Sequence, residues 1–85
     1  MQGARRLGCS VLYLDEAGAP DALLGYRGVN VLVEIKAPIG PRGGASKDGQ
    51  RLSPRQDGWH AAWRGQVAVV RTFEELQVLL RTLAP

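Results

Sequence analysis

Two carboxylates and a lysine mark the place where this chain could do chemistry. They are Asp21, directly after Pro20, and Glu34 and Lys36, on either side of Ile35. Carboxylate oxygens are the hard ligands that Mg2+ prefers, and one or two suffice when water and a substrate phosphate complete the octahedron. The backbone carbonyl of Ile35 could add another oxygen. A divalent ion held in this way neutralises the charge that develops on a phosphodiester under attack and lowers the pKa of the attacking water. Lys36, a compact point charge, suits orientation or deprotonation of that water, or stabilisation of the pentacovalent phosphate. The combination is that of metal-assisted phosphodiester hydrolysis. Glu34 and Lys36 taken alone have a plainer reading, an exposed ion pair on an edge strand, because burying such a pair costs desolvation energy unless something uses it.

What separates the two readings is whether the chain brings Asp21 to the same spot. Ala22 to Tyr26 reads as a strand, Arg27-Gly28-Val29-Asn30 as a tight hairpin turn, and Val31 to Lys36 as the next strand. The later strand alternates, so Val31, Val33 and Ile35 share one face while Leu32, Glu34 and Lys36 share the other. In an antiparallel pair the start of one strand lies beside the end of the next. Asp21 at the start of the first and Glu34 and Lys36 at the end of the second therefore converge on one end of the hairpin. Convergence of three positions is harder to reconcile with a simple surface ion pair.

The remaining elements frame this hairpin. Residues 1–8 read as the last turn or two of a helix stopped by Gly8, and Val11 to Leu14 as a first strand ended by Asp15-Glu16-Ala17-Gly18. Residues 37–52 form a long basic stretch rich in glycine and proline, a flexible loop in which Arg42, Lys47 and Arg51 are the candidate contacts to nucleic acid. Ser53, Pro54 and Gln56 then spell a helix start, with Ser53 as N-cap, Pro54 at N1 and Gln56 at N3 completing a capping box. That helix carries Trp59, His60 and Trp63 and stops near Arg64-Gly65. Trp59 and Trp63 read as core or dimer surface; His60 shares the face of Gln56 and could approach the site, though its first reading is a packing or surface histidine. Val67 to Val70 reads as a buried fourth strand. Thr72 caps a last helix, with Glu74 or Glu75 supporting its start and Phe73, Leu76, Leu79, Leu80 and Leu83 as its apolar face. The order is α-β-β-β-α-β-α in a single α/β domain over residues 1–85.

Composition narrows the setting. A chain of 85 residues forms one domain at most, and its small core favours dimerisation as a way to bury more surface. Eleven Lys+Arg against eight Asp+Glu leave a charge of +3, mostly from arginine, which leans toward a polyanionic partner. Cys9 is the only cysteine and reads as a buried, inert thiol, compatible with a reducing cytoplasm. One Cys and one His exclude an all-Cys/His zinc site of the usual spacing. No signal-peptide core and no apolar run near 18 residues point to export by that route or to membrane insertion.

At this point the sequence resembles a known group of proteins. Pro20-Asp21 followed by Glu34-Ile35-Lys36 looks like the PD-(D/E)xK superfamily of restriction endonuclease-like nucleases. More narrowly, Leu32-Val33-Glu34-Ile35-Lys36-Ala37-Pro38, the block Arg51-Leu52-Ser53 to Gln56 and Trp59, and the strand Gly65 to Val70 are similar to the VRR-nuclease family, over residues 7–80. That family includes phage-type stand-alone nucleases and Holliday junction resolvase-like enzymes. The resemblance implies a restriction endonuclease-like core, a small mixed sheet flanked by helices. It implies metal ligands at Asp21, Glu34 and the Ile35 carbonyl, catalytic roles for Lys36 and Gln56, and Mg2+ or Mn2+ as cofactor. It further implies endonuclease action on DNA, branched or duplex, by a homodimer in the cytoplasm, including a host cytoplasm for a phage-encoded protein. One departure stands out: the family places a further acid on a helix before the first strand, whereas no acid precedes Asp15 here. A partner chain, Asp15 or Glu16 would have to compensate, or a second metal ligand is missing. The competing expectation is a non-catalytic nucleic-acid-binding or assembly module that keeps the fold.

Overall fold

In a computed structural model, which describes residues 2–37 and 52–85, the hairpin is the centre of the molecule. Strands β2 (Ala22–Tyr26) and β3 (Val29–Ile35) pair antiparallel, with Tyr26 opposite Val29 and Ala22 opposite Val33. Only Arg27 and Gly28 lie between them, at φ 48 and 84. Two consecutive left-handed residues make the primed turn whose twist matches that of the flanking strands. The turn is thus two residues rather than the four expected, and Val29 and Asn30 belong to the ladder. Arg27 adopts this conformation despite its Cβ, with its guanidinium 5.3 Å from the Tyr26 ring centroid.

The other elements are α1 (Gln2–Arg6), β1 (Ser10–Tyr13), α2 (Pro54–Ala62), β4 (Val67–Val70) and α3 (Phe73–Leu83). The sheet runs β1-β2-β3-β4, with β1 and β2 antiparallel and β3 and β4 parallel. A parallel pair cannot be closed by a tight turn, and here the chain between β3 and β4 carries α2. The observed order is the α-β-β-β-α-β-α expected, a four-stranded mixed sheet flanked by helices.

Alternation sorts the sheet into two faces. One side of the hairpin, with Ala22, Leu24, Val31 and Val33, packs with Val70, with Ala4 of α1 and with Leu76 and Leu80 of α3 to form the core. Cys9 is buried in the same cluster, and burial raises its thiol pKa, in keeping with an inert role. On the other side Leu32 and Glu34 are also buried. β3 is therefore a central strand, closed on both faces at Glu34, and the edge-strand reading of Glu34 does not hold.

Three details differ from expectation. β4 is not fully buried: Val67, Ala68 and Val69 are half-buried, because β4 is an edge of the sheet, and only Val70 reaches the core. Phe73 is 42% exposed rather than part of the apolar face of α3. It opens the helix and lies against α1, where a Cβ on Gly3 would come within 2.8 Å of its ring. The Trp59 and Trp63 rings stack on each other at 4.9 Å, with Trp59 half-buried and Trp63 exposed, so of the two expected placements, core or dimer surface, the core one does not hold. Both long helices start as their sequences dictate. Ser53 Oγ accepts from the Gln56 N–H and Gln56 Oε1 accepts from the Ser53 N–H, while Thr72 Oγ1 accepts from the Glu75 N–H. Among the described residues no helix is long and apolar enough to cross a membrane.

Gly28 supplies a clean test of the turn. Its φ is left-handed, yet a Cβ there would meet nothing within 4 Å. Gly28→Ala should therefore cost only the backbone strain of a left-handed alanine, about 1–2 kcal/mol, read as a lower denaturation midpoint with an unchanged slope.

Candidate active site

Asp21 sits one residue before the first rung of the β2–β3 ladder. Its Oδ2 accepts the Ile35 N–H at 2.6 Å. The backbone ladder ends at the Ala22–Val33 pair, so the side chain satisfies an amide that the neighbouring strand does not reach. Pro20, directly before it, is fully buried and holds the entry to the strand. Asp21 is thereby tied to the strand end that carries Glu34 and Lys36, and Ile35 puts its backbone between them.

Glu34 is only 2% exposed, the one charged residue among the buried side chains described. Its Oε1 accepts from Gln56 Nε2 at 2.9 Å. The carbonyl oxygen of the same Gln56 amide accepts from Lys36 Nζ at 3.0 Å and from the Ser53 N–H at 2.9 Å. This amide orientation is the one the chemistry requires, because the flipped group would point N–H toward an ammonium and a backbone N–H, and oxygen toward a carboxylate. Gln56 thus closes the capping box and bridges Glu34 to Lys36 with the same side chain. The helix start and the site cannot be separated: the geometry that begins α2 also sets where the amide lies over β3.

His60, one turn after Gln56, faces the same carboxylate. Its side chain is 11% exposed and its Nε2 lies 3.9 Å from Glu34 Oε1. That nitrogen is buried and has no hydrogen-bond partner among the described residues. His60 packs against the site itself, the approach that its face shared with Gln56 left open, rather than lying on the surface. The i, i+4 spacing from Gln56 was the sequence signal for this placement. What periodicity could not supply was the burial of Glu34, which makes a neighbouring ring nitrogen consequential.

Burial pushes the Glu34 carboxyl from its ordinary 4.5 up to about 7, helped by the adjacent Asp21 carboxylate and opposed by the charge of Lys36 and the Ile35 N–H. Two carboxylates, one of them buried, repel each other across the end of the hairpin. A divalent cation relieves that repulsion, so the donor set fits a hard, oxygen-preferring ion such as Mg2+ or Mn2+. Asp21 and Glu34 are the residues that could hold it.

Of the two acids proposed to replace the absent one on the first helix, Glu16 is placed otherwise. Glu16 Oε2 accepts from the Trp59 indole N–H at 3.2 Å and so fastens the β1–β2 loop to α2. Gly18 in that loop lies so close to Arg55 that a Cβ would fall 2.7 Å from its side chain. Among the described residues no group of three or more His, Cys, Asp and Glu is arranged to hold a metal. Arg42, Lys47 and Arg51 lie outside the described residues. The structure therefore brings Asp21, Glu34, Ile35, Lys36 and Gln56 together, and adds His60.

Comparison of the chain with protein-family models, with curated proteins and with solved structures finds no match.

The raised Glu34 pKa has a stability consequence with a definite sign. Below about pH 4.5 both folded and unfolded chains carry the proton on this residue. Between about 4.5 and 7 the unfolded chain releases it while the folded chain holds it, so stability falls as pH rises, levelling off above 7. The loss is on the order of 3 kcal/mol at most, at about 1.4 kcal/mol per pH unit. Glu34→Gln should remove that decline, so that the variant's advantage over the parent in urea melts grows from pH 5 to pH 8.

Proposed function

We propose that the chain is a metal-dependent endonuclease that hydrolyses DNA phosphodiester bonds, built on a restriction endonuclease-like core of the VRR-nuclease kind. The observation that carries this reading is the meeting of Asp21, Glu34, Lys36 and Gln56, from three separate elements, at one end of the hairpin. Gln56 joins Lys36 to Glu34 through its two amide atoms. A salt bridge built only for stability has no need of a second, mutually repelling carboxylate beside a buried one.

When bound, Mg2+ or Mn2+ neutralises charge on the phosphodiester and makes a nearby water a better nucleophile. The chain's own residues do the positioning. Asp21 and Glu34 present their oxygens from adjacent strands, with Asp21 oriented by the Ile35 N–H. Lys36 offers a fixed cation for the scissile phosphate or the attacking water, its ammonium steered by the Gln56 carbonyl oxygen. The burial of Glu34 keeps bulk water from screening these charges. Two carboxylates suit a single octahedral ion. The positive balance of the chain favours a nucleic-acid substrate, with Arg42, Lys47 and Arg51 as phosphate contacts. A homodimer, with two sites related by a two-fold axis, suits a branched and roughly symmetric DNA such as a four-way junction.

The test is Mg2+-dependent cleavage of junction, flap, single-stranded and linear duplex DNA by the purified protein. Cleavage is expected, with the junction favoured, and Lys36→Ala should reduce it by about 100-fold or more. Failure to cut any of the four, or equal cutting by the Lys36 variant, would sink the proposal. The competing reading, a binding module that keeps the fold, predicts no carboxylate-dependent Mn2+ binding in calorimetry.

A further inference from the structure

α2 addresses one oxygen of Glu34 twice. Gln56 Nε2 donates to Oε1 at 2.9 Å, and one turn later His60 Nε2 stands 3.9 Å from the same Oε1. The i, i+4 spacing of the two residues lays both side chains over β3 from a single helix face. The His60 nitrogen is buried and, among the described residues, without a hydrogen-bond partner. A buried ring nitrogen without a partner lowers stability, and a residue that served packing alone would do so better as a leucine or phenylalanine. The Trp59 ring lies edge-on to the imidazole, with centroids 6.1 Å apart, and limits where the ring can turn. The Glu34 carboxylate is an acceptor facing it, about 1 Å beyond hydrogen-bond range.

We propose that His60 is a positioning residue for Glu34: its Nε2–H closes onto Oε1 when the carboxylate engages a divalent cation. With Gln56 and His60 both holding Oε1, Oε2 is left as the oxygen that α2 does not address, and the plane of the carboxylate is set relative to Asp21. A ligating carboxylate is commonly held this way by hydrogen bonds from behind, and loss of such a partner typically weakens metal affinity by about 10- to 100-fold. The inference rests on the reading of Asp21 and Glu34 as metal ligands.

Calorimetric titration of Mn2+ into the full chain tests it, with thermal melts of the same samples. His60→Leu keeps the apolar packing and removes the donor. It should bind Mn2+ at least about tenfold more weakly while melting at or above the parent temperature. His60→Gln places an amide N–H close to the position of Nε2, and should bind within about threefold of the parent. His60→Phe gives the same comparison as leucine should the leucine variant fail to fold. Mn2+ affinity unchanged in His60→Leu or His60→Phe overturns the proposal, as does a His60→Gln variant as weak as they are. A parent chain that binds no Mn2+, or binds it equally after Asp21→Asn, instead overturns the metal site itself and His60's role with it.

Discussion

Beneath α2 the carboxylate of Glu34 lies almost wholly out of water, next to a second carboxylate and bridged to Lys36 through the Gln56 amide. Placing an acid there works against folding, since its ionised form is stripped of solvent and faces Asp21. The surrounding structure is organised to make this tolerable. Gln56 donates to one oxygen, Lys36 supplies opposing charge from two residues along the strand, and the Asp21 carboxylate is drawn onto the Ile35 amide. Each of these partners depends on a different element, so the site is formed only when β2, β3 and the start of α2 are all in place.

The position of α2 is consequently a matter of chemistry as much as packing. The helix has no fully buried residue, and its contacts with the rest of the fold include polar ones, through Gln56, through His60 and through the Trp59–Glu16 hydrogen bond. The opposite face of the sheet is covered in the ordinary way, by apolar residues of α1 and α3 against Val31, Val33 and Val70. One face thus supplies most of the hydrophobic stabilisation, and the other presents a polar cluster. That division lets a chain with a small core set aside a central-strand position for a carboxylate.

Much of this was legible in the residues. The period-two alternation of Val31 to Lys36, a hairpin turn starting at Arg27 (though two residues shorter than it read), the Ser53-Pro54-Gln56 helix start and the Thr72 cap are local signals, governed by backbone sterics and by the hydrogen bonds of a few neighbouring residues. They hold almost irrespective of what surrounds them, which is why element order and the convergence of Asp21 with Glu34 and Lys36 could be derived before any fold was known. Less accurate were statements about depth. Val67 to Val69 read as buried from composition, yet strand composition does not say which strand lies at the edge. Phe73 fits the helical period, but being first in its helix it lies against α1 and remains partly exposed.

By itself, then, the sequence determined the residue types able to do chemistry, the hairpin that aligns them and the cap that begins α2, because these follow from spacing and backbone conformation within a few residues. Tertiary structure decided that Glu34 is buried rather than exposed, that one Gln56 amide serves the cap and two charged neighbours together, that Glu16 goes to Trp59, and that His60 turns toward the carboxylate. These outcomes depend on how α2, more than 15 residues away along the chain from Glu34, docks across β3. Burial is a property of what covers a residue, and no local pattern encodes the cover.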